Sequence, residues 1–355
     1  MDEWANIPSE GALSTQDNNN DNRRIVVFEA ETRNRYCTIC RMGTASGIAV
    51  YRGGFIAEDF NEYLRIGIHG VFVSMKLVDV NQEEAFNKMN QEVEKNGLLP
   101  DHENILGIKT SFVDKEKLCV VFPFMNMGSL RSIVASKFHE GLPEHCIVVA
   151  LKETLTGLSI IHANGHVHKE MNAGHIFFNE KPEIKLGFSA TIYEHESGSA
   201  QASSSSVMPS NSVCEWAAAP EVYYTQNHSK ASDIWMIGIT ALELAYGGLR
   251  VPNRENFESM VKKISKKKRL PKKEQRVNPN RLKEKVHGFV KEMVPSCVVP
   301  VKYKERAFSK SFEKMVAKCL YWDSEKRPNA YELLQYEIFT TSKDIYFFHN
   351  VMKSS

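Results

Sequence analysis

Apolar positions follow two rhythms along this chain. Up to about residue 125 they fall in short runs, "GVFVSMKLVDV" (70–80) and "KLCVVFPF" (117–124), rich in β-branched residues and bounded by turn formers. Such runs predict strands. Between them Glu83 to Asn96 is polar, with Phe86, Met89 and Val93 spaced by three and four. That spacing predicts an exposed amphipathic helix ending at Gly97. Beyond residue 125 the rhythm is helical. In "EHCIVVALKETLTGLSIIHANG" the residues Ile147, Leu151, Leu155, Leu158 and Ile161 step by three and four, and Gly165 follows as a stop signal. "SDIWMIGITALELAYGG" (232–248) is apolar almost all round, which predicts a helix at the centre of a large domain. The expected fold class is α+β, with a small sheet-rich lobe followed by a larger helical one.

Polar segments punctuate this pattern. Residues 1–24 are rich in Asn and Asp ("STQDNNNDNRR") and predict a disordered tail. The first lobe is expected over 36–127, which leaves 1–35 outside it. A Ser-rich stretch, "ESGSAQASSSSVMPSNS" (196–212), reads as a long loop, and "KKISKKKRLPKKEQR" (262–276) is strongly basic. No internal repeat is present.

Composition narrows the classes. At 355 residues the chain has room for one large domain or two coupled lobes, and 42% apolar with 25% charged residues is an ordinary globular balance. A net charge of +2 makes no whole-protein case for nucleic-acid binding. The N-terminus lacks the basic start and apolar run of a signal peptide. No run of about 18 apolar residues is expected to span a bilayer. Seven scattered cysteines point to a reduced, cytoplasmic setting. The basic run leaves nuclear import or an acidic partner as open readings.

Two clusters raise the question of a metal. "GHVHKEMNAGHIFF" (165–178) holds His166, His168 and His175, with His162 just before it, a spacing that fits metal ligation. "CTIC" (37–40) is a lone C-x-x-C without a second pair. Both are weak signals.

Order along the chain supplies a stronger one. "VSMK" (73–76), Glu92 on the next helix, "VVFPFMNMGSL" (120–130), "AAPEV", "SDIW" and "KRP" occur in the order and spacing of the protein-kinase fold. The resemblance covers roughly 45–340 and implies a bilobal architecture, with 128–340 as the second lobe, 187–221 as the activation segment and 341–355 as a C-terminal extension. It implies roles residue by residue. Lys76 resembles the nucleotide-binding lysine, with Glu92 as its ion-pair partner. Phe122 is similar to a gatekeeper, and Pro123 to Met125 to the hinge. Glu221, Asp233 and Arg327 match structural positions, with Arg327 expected to pair with Glu221. The segments "FMNMGSL" and "GLPEHCIVVALKETL" resemble the STE20 group, in particular the Fray and oxidative-stress-responsive branch and its plant members, which borders the STRAD pseudokinases. The long C-terminal extension of that branch is expected to be absent.

Within this frame the histidine-rich stretch is a degenerate catalytic loop. Against H-R-D-x-K-x-x-x-N it reads His168, Lys169, Glu170, Met171, Asn172 and, at the last position, His175. Glu170 thus stands for the base aspartate, Asn172 for the phosphate-contacting lysine and His175 for the metal-binding asparagine, while His168 is kept as a structural histidine and His166 is expected to be exposed. Asp-Phe-Gly aligns either with Gly187-Phe188-Ser189 or with a gap of about three residues. Neither alignment leaves a carboxylate for magnesium. The glycine-rich loop is sought in "YRGGFIAEDF", where Gly53 and Gly54 are kept and Phe55 or Glu58 fills later glycine positions. Cys214 stands where active relatives carry an activating threonine.

These changes imply a catalytically impaired kinase fold acting as a scaffold or allosteric regulator of another kinase. ATP is expected to bind weakly if at all, without an intact magnesium site. An atypical active serine/threonine kinase using Glu170 as base is the alternative, and the Ser-rich loop is a candidate phosphorylation site.

Overall fold

The computed structural model describes residues 25–45, 48–56, 72–187, 217–248, 253–270 and 308–354. Its first lobe is a six-stranded antiparallel sheet of β1 (Val26–Glu29), β2 (Asn34–Ala45), β3 (Ile48–Ile56), β4 (Phe72–Asp79), β6 (Thr110–Asp114) and β7 (Lys117–Pro123), in the order β1-β2-β3-β4-β7-β6. Helix α1 (Glu83–Gly97) packs on one face. A two-residue strand, β5 (Ile105–Leu106), leads out of the lobe and pairs in parallel with Leu186 and Gly187 of the second.

Alternation explains the strands. In β7, Leu118, Val120 and Phe122 join the cluster under α1 with Val78 and Met89, whereas Cys119 and Val121 face the other cluster with Val73 and Met75. Both faces are buried, so the run is apolar throughout although its side chains point opposite ways. The two sheet edges also meet. The Glu29 carboxylate of β1 accepts bonds from Thr110 of β6 and from Thr32, Asn34 and Tyr36. Burial alone raises its pKa, but these donors hold it below the usual carboxylate value. The lobe thus starts at Val26, ten residues before the expected boundary. The short β1 was hidden because its four residues, VVFE, are too few to leave a period in the sequence.

The second lobe is helical. Its helices are α2 (Leu130–Lys137), α3 (Glu144–Ala163), α4 (Pro220–Thr225), α5 (Lys230–Tyr246), α6 (Arg254–Lys267), α7 (Lys310–Cys319), α8 (Ala330–Leu334), α9 (Glu337–Thr340) and α10 (Ile345–Ser354). The hairpin of β8 (Ile176–Phe178) and β9 (Ile184–Gly187) lies against α3. Helix α5 is the predicted central helix and is buried along nearly its whole length, from Ser232 to Ala245. Its N-terminus is closed by a Ser229–Ser232 capping box. Helix α3 is long and apolar enough by length and composition to cross a membrane, but charged Lys152 and Glu153 interrupt it and 67% of its most apolar window is buried inside the lobe, as in a core helix. Leu151, Leu155, Leu158 and Ile161 are buried in the core of the lobe. Within 341–354, Phe348 of α10 packs edge-on against Phe178 of β8 at 5.0 Å.

Candidate functional site

Strand alternation puts Lys76 on the face of β4 that α1 covers. Its Nζ lies 2.8 and 3.0 Å from the Glu92 carboxylate oxygens, with Lys76 8% and Glu92 4% exposed. Phe122 closes the pair from β7, its ring centre 5.2 Å from the ammonium. Pro123 is exposed, and Met125 is buried at the crossover between lobes.

Asp233, fully buried at the start of α5, organises the loop on the other side. It accepts hydrogen bonds from the backbone N–H groups of His168 and Lys169 and from His162 Nε2, each at 2.8 Å. Lys169 sits at φ +73°, a left-handed conformation unusual for a side chain, and the bond from its N–H to Asp233 holds it there. His168 Nε2 donates to the Gly187 carbonyl at 2.8 Å, and its Nδ1 accepts the Glu170 N–H. Burial pushes the His168 pKa down, so the ring is neutral.

Asn172 and His175 are both used on the loop's own backbone. Asn172 Nδ2 and His175 Nδ1 donate to the Glu170 carbonyl at 2.9 and 2.8 Å, and Asn172 Oδ1 accepts the Gly174 N–H. With its proton on Nδ1, His175 turns Nε2 toward the Glu170 carboxyl, 3.8 Å away. Burial pushes the His175 pKa down to about 3. Glu170 is pushed up to about 8 by burial, with the Lys76 charge pulling down and the Glu92 charge pushing up. At neutral pH the site therefore pairs a carboxylic acid with a neutral imidazole. A protonated Glu170 cannot accept a proton as a general base.

Two residues that the sequence reading missed brace the loop from below. Arg131 Nε bonds Glu243 Oε1 at 2.6 Å, and Glu243 Oε2 accepts the Ala173 N–H at 3.4 Å. The available signal was Glu243, a second acid deep in the largely apolar α5 beyond Asp233, since a buried charge needs a partner.

The phosphate side departs from expectation. Gly53 and Gly54 are not in a loop but in strand β3, where they pair with Thr38 and Cys37. A Cβ on Gly53 would stand 2.3 Å from Met75 Sδ, so its smallness serves packing against β4. Strand β3 lies directly beside Lys76, with Val50 paired to it, so the hairpin of β2 and β3 is the one that adjoins the lysine. Against G-x-G-x-x-G-x-V that hairpin reads Gly43, Ala45, Ile48 and Val50. One glycine is kept, and Ile48 packs toward Phe122 and Val120. The overlooked signal was Gly43 and Gly47 followed by Val50.

Magnesium needs hard oxygen ligands. Gly187 offers only a carbonyl oxygen, already taken by His168, and a Cβ there would meet Phe177 at 2.9 Å. His175 presents nitrogen. The described residues do not fit a magnesium site, and among them no group of three His, Cys, Asp or Glu is placed to hold any metal. His166 is half-buried, where exposure was expected, and Cys37 and Cys40 lie on β2 without a disulfide between them. Phe188, Ser189, the Ser-rich stretch, Cys214 and residues 271–276 lie outside the described residues.

The remaining matched positions form one joint. Arg327 binds Glu221 in a two-pronged pair at 2.5 and 2.8 Å, and its other N–H groups reach the carbonyls of Ala231, Tyr321 and Trp322.

Comparison with known proteins agrees with this arrangement. A family model described as the protein kinase domain matches residues 68–339. The chain is 29% identical over 276 residues to serine/threonine-protein kinase fray2 of Dictyostelium discoideum, covering 76% of this chain and 23% of that one. It is 27% identical to germinal center kinase 3 of Caenorhabditis elegans, covering 77% and 43%. STE20-related kinase adapter protein alpha of Mus musculus is 26% identical, with 77% and 67% covered. The chain thus spans about a quarter of the length of the first of these relatives and less than half of the second. A matched domain that includes the Lys76–Glu92 pair, the Asp233-held loop and the Arg327–Glu221 joint, with STE20-related proteins among its relatives, shows that the chain belongs to the protein kinase family.

Proposed function

We propose that this chain is a STE20-related pseudokinase that transfers little or no phosphate and acts as a scaffold or allosteric regulator of another protein kinase. One observation carries the reading. The side chains at the base, lysine and metal positions are a protonated Glu170 and an Asn172 and His175 already bonded to the Glu170 carbonyl. Phosphoryl transfer depends on positioning and on neutralising charge, mostly by metal-bridged phosphates. Each missing electrostatic group costs on the order of 10² to 10³ in rate. The intact Lys76–Glu92 pair and Arg327–Glu221 joint keep the fold in order for a binding role. A relative that carries the name kinase adapter supports that role.

The same cleft takes ATP weakly at most, through Lys76 and without magnesium. Ala45 and Ile48 in place of glycines oppose close approach of the phosphates. Within the STE20 group we place the chain by the segments "FMNMGSL" and "GLPEHCIVVALKETL", which look most like plant members of the Fray branch.

The test is a thermal-shift titration with ATP, with and without magnesium or manganese, beside a phosphotransfer assay with Glu170→Ala as control. No metal-dependent shift and no turnover are expected. Turnover that Glu170→Ala abolishes, rising as the pH passes 8, would sink the pseudokinase reading in favour of an active kinase using Glu170 as base.

A further inference from the structure

Helix α6 turns Phe257, Val261 and Ile264 into the core. Its other side, from the middle onward, carries Lys262, Lys263, Lys266 and Lys267, and Lys268 and Arg269 follow. All six are exposed. No acidic residue interrupts 262–270. Lys262 reaches Glu258 at 3.6 Å and lies over the Trp322 ring at 4.9 Å. The other five have no carboxylate within ion-pair distance among the described residues.

The fold does not call for this density of charge. Lysines at the last turn favour the helix dipole, which accounts for Lys266 and Lys267. Lys262 and Lys263 stand one turn earlier, where each repels the lysine four residues on. The helix is positioned without them: Ser265 Oγ donates to the Leu320 carbonyl at 2.9 Å, and the Leu270 N–H donates to Glu313. The cations are therefore held on a rigid, folded element. The rim beside them is aromatic. Trp322 is 39% exposed, and Tyr224, whose hydroxyl donates to Glu258, is 61% exposed.

We propose that this side of α6, with Lys268, Arg269 and the Trp322 ring, is a docking surface for an acidic segment of a protein partner. The dimensions set the partner's chemistry. From Lys262 to Lys267 the helix rises about 8 Å, or two to three residue-to-residue steps of an extended chain at about 3.3 Å each. Three or four consecutive carboxylates fill that span, and one apolar side chain beside them meets Trp322. A nucleic acid fits less well. The chain as a whole carries only +2, and Asp323 and Glu325 follow Trp322 directly, so the positive field ends there rather than continuing as a track for a phosphate backbone. The surface is distinct from the cleft, so the proposal stands whether or not the chain transfers phosphate.

Fluorescence anisotropy on the full chain tests it. The probe is a labelled peptide of a leucine followed by four glutamates, beside the same peptide with glutamines. Single-stranded DNA and phosphatidylserine vesicles form separate arms. At about 50 mM salt the glutamate peptide is expected to bind at least tenfold more tightly than the glutamine peptide, and the gap is expected to close near 300 mM. Lys263→Glu/Lys267→Glu is expected to remove the preference while the melting curve stays unchanged. Lys263→Gln/Lys267→Gln, free of new charge repulsion, gives the same readout if the first pair disturbs folding. Equal binding of the two peptides overturns the proposal, as does a preference that survives both double variants. So does tighter binding of DNA or vesicles than of the glutamate peptide, lost in the same variants.

Discussion

Glu170 concentrates the consequences of one methylene. The glutamate side chain lies in a buried space and keeps its proton to about pH 8, with the charges of Lys76 and Glu92 acting on it in opposite directions. Stability then depends on pH with a definite sign. In the unfolded chain Glu170 releases its proton near 4.5, and in the folded chain near 8. Between these values folding retains a proton that unfolding would release, so each pH unit lowers stability by up to about 1.4 kcal/mol. His175 acts oppositely below 6.5, because its folded form stays neutral to about 3. The two slopes offset each other between about 4.5 and 6.5, and stability falls on either side. Glu170→Gln is expected to leave the melting temperature nearly unchanged at about pH 5 and raise it progressively up to pH 8. A difference that does not grow with pH contradicts a buried, protonated Glu170. Gly187 bears on the same site. Gly187→Asp puts a Cβ against Phe177, so it is expected to destabilise by ~1–3 kcal/mol and to confer no magnesium-dependent thermal shift. At this scale the altered loop was legible in the sequence because its neighbours keep their order. The use of Asn172 and His175 on the Glu170 carbonyl was not, since it depends on backbone geometry that no spacing encodes.

Strands and helices were unequally legible. α1, α3, α5, β4 and β7 stood out because each buries a face large enough to leave a period in the sequence. The β1–β3 region did not, because β2 mixes Arg, Thr and Cys and shifts register at Thr38/Cys40 and Arg41/Gly43. That irregularity also led the glycine search to Gly53 and Gly54 instead of the hairpin ten residues earlier. Gly53→Ala separates the two placements. In a phosphate loop the change leaves stability alone. Within β3 it forces Met75 to move and is expected to cost ~1–3 kcal/mol in a urea titration. The Lys76–Glu92 contact ties β4 to α1, and its loss acts on both elements. Glu92→Ala leaves a buried ammonium unpaired, a change that typically costs ~3–5 kcal/mol. Its readout is faster hydrogen exchange across 83–97. Unchanged exchange there would mean that α1 is held by Met89 and its apolar neighbours alone.

Across the whole molecule the two lobes are stabilised differently, and that decides what a single change reaches. The first lobe depends on a curled sheet whose edges meet at Glu29. The second depends on α5, to which Asp233 fastens the loop and Arg327 fastens Glu221 of α4. Arg327 is 6% exposed, and its donors serve Glu221, Ala231, Tyr321 and Trp322 together. Arg327→Ala strands a carboxylate and three carbonyls, with an expected loss of ~3–5 kcal/mol. Arg327→Lys is expected to recover little, since an ammonium has no planar fork to meet both Glu221 oxygens. Because lobes of one chain need not unfold together, the informative measurement is local. Hydrogen exchange is expected to quicken in 220–246 and 308–334 of Arg327→Ala and to stay at the wild-type rate in 72–79 and 117–123. Equal quickening in both lobes would show that they unfold as one cooperative unit. A full rescue by lysine would show that Arg327 contributes charge alone and not the fork that joins α4, α5 and the segment before α8.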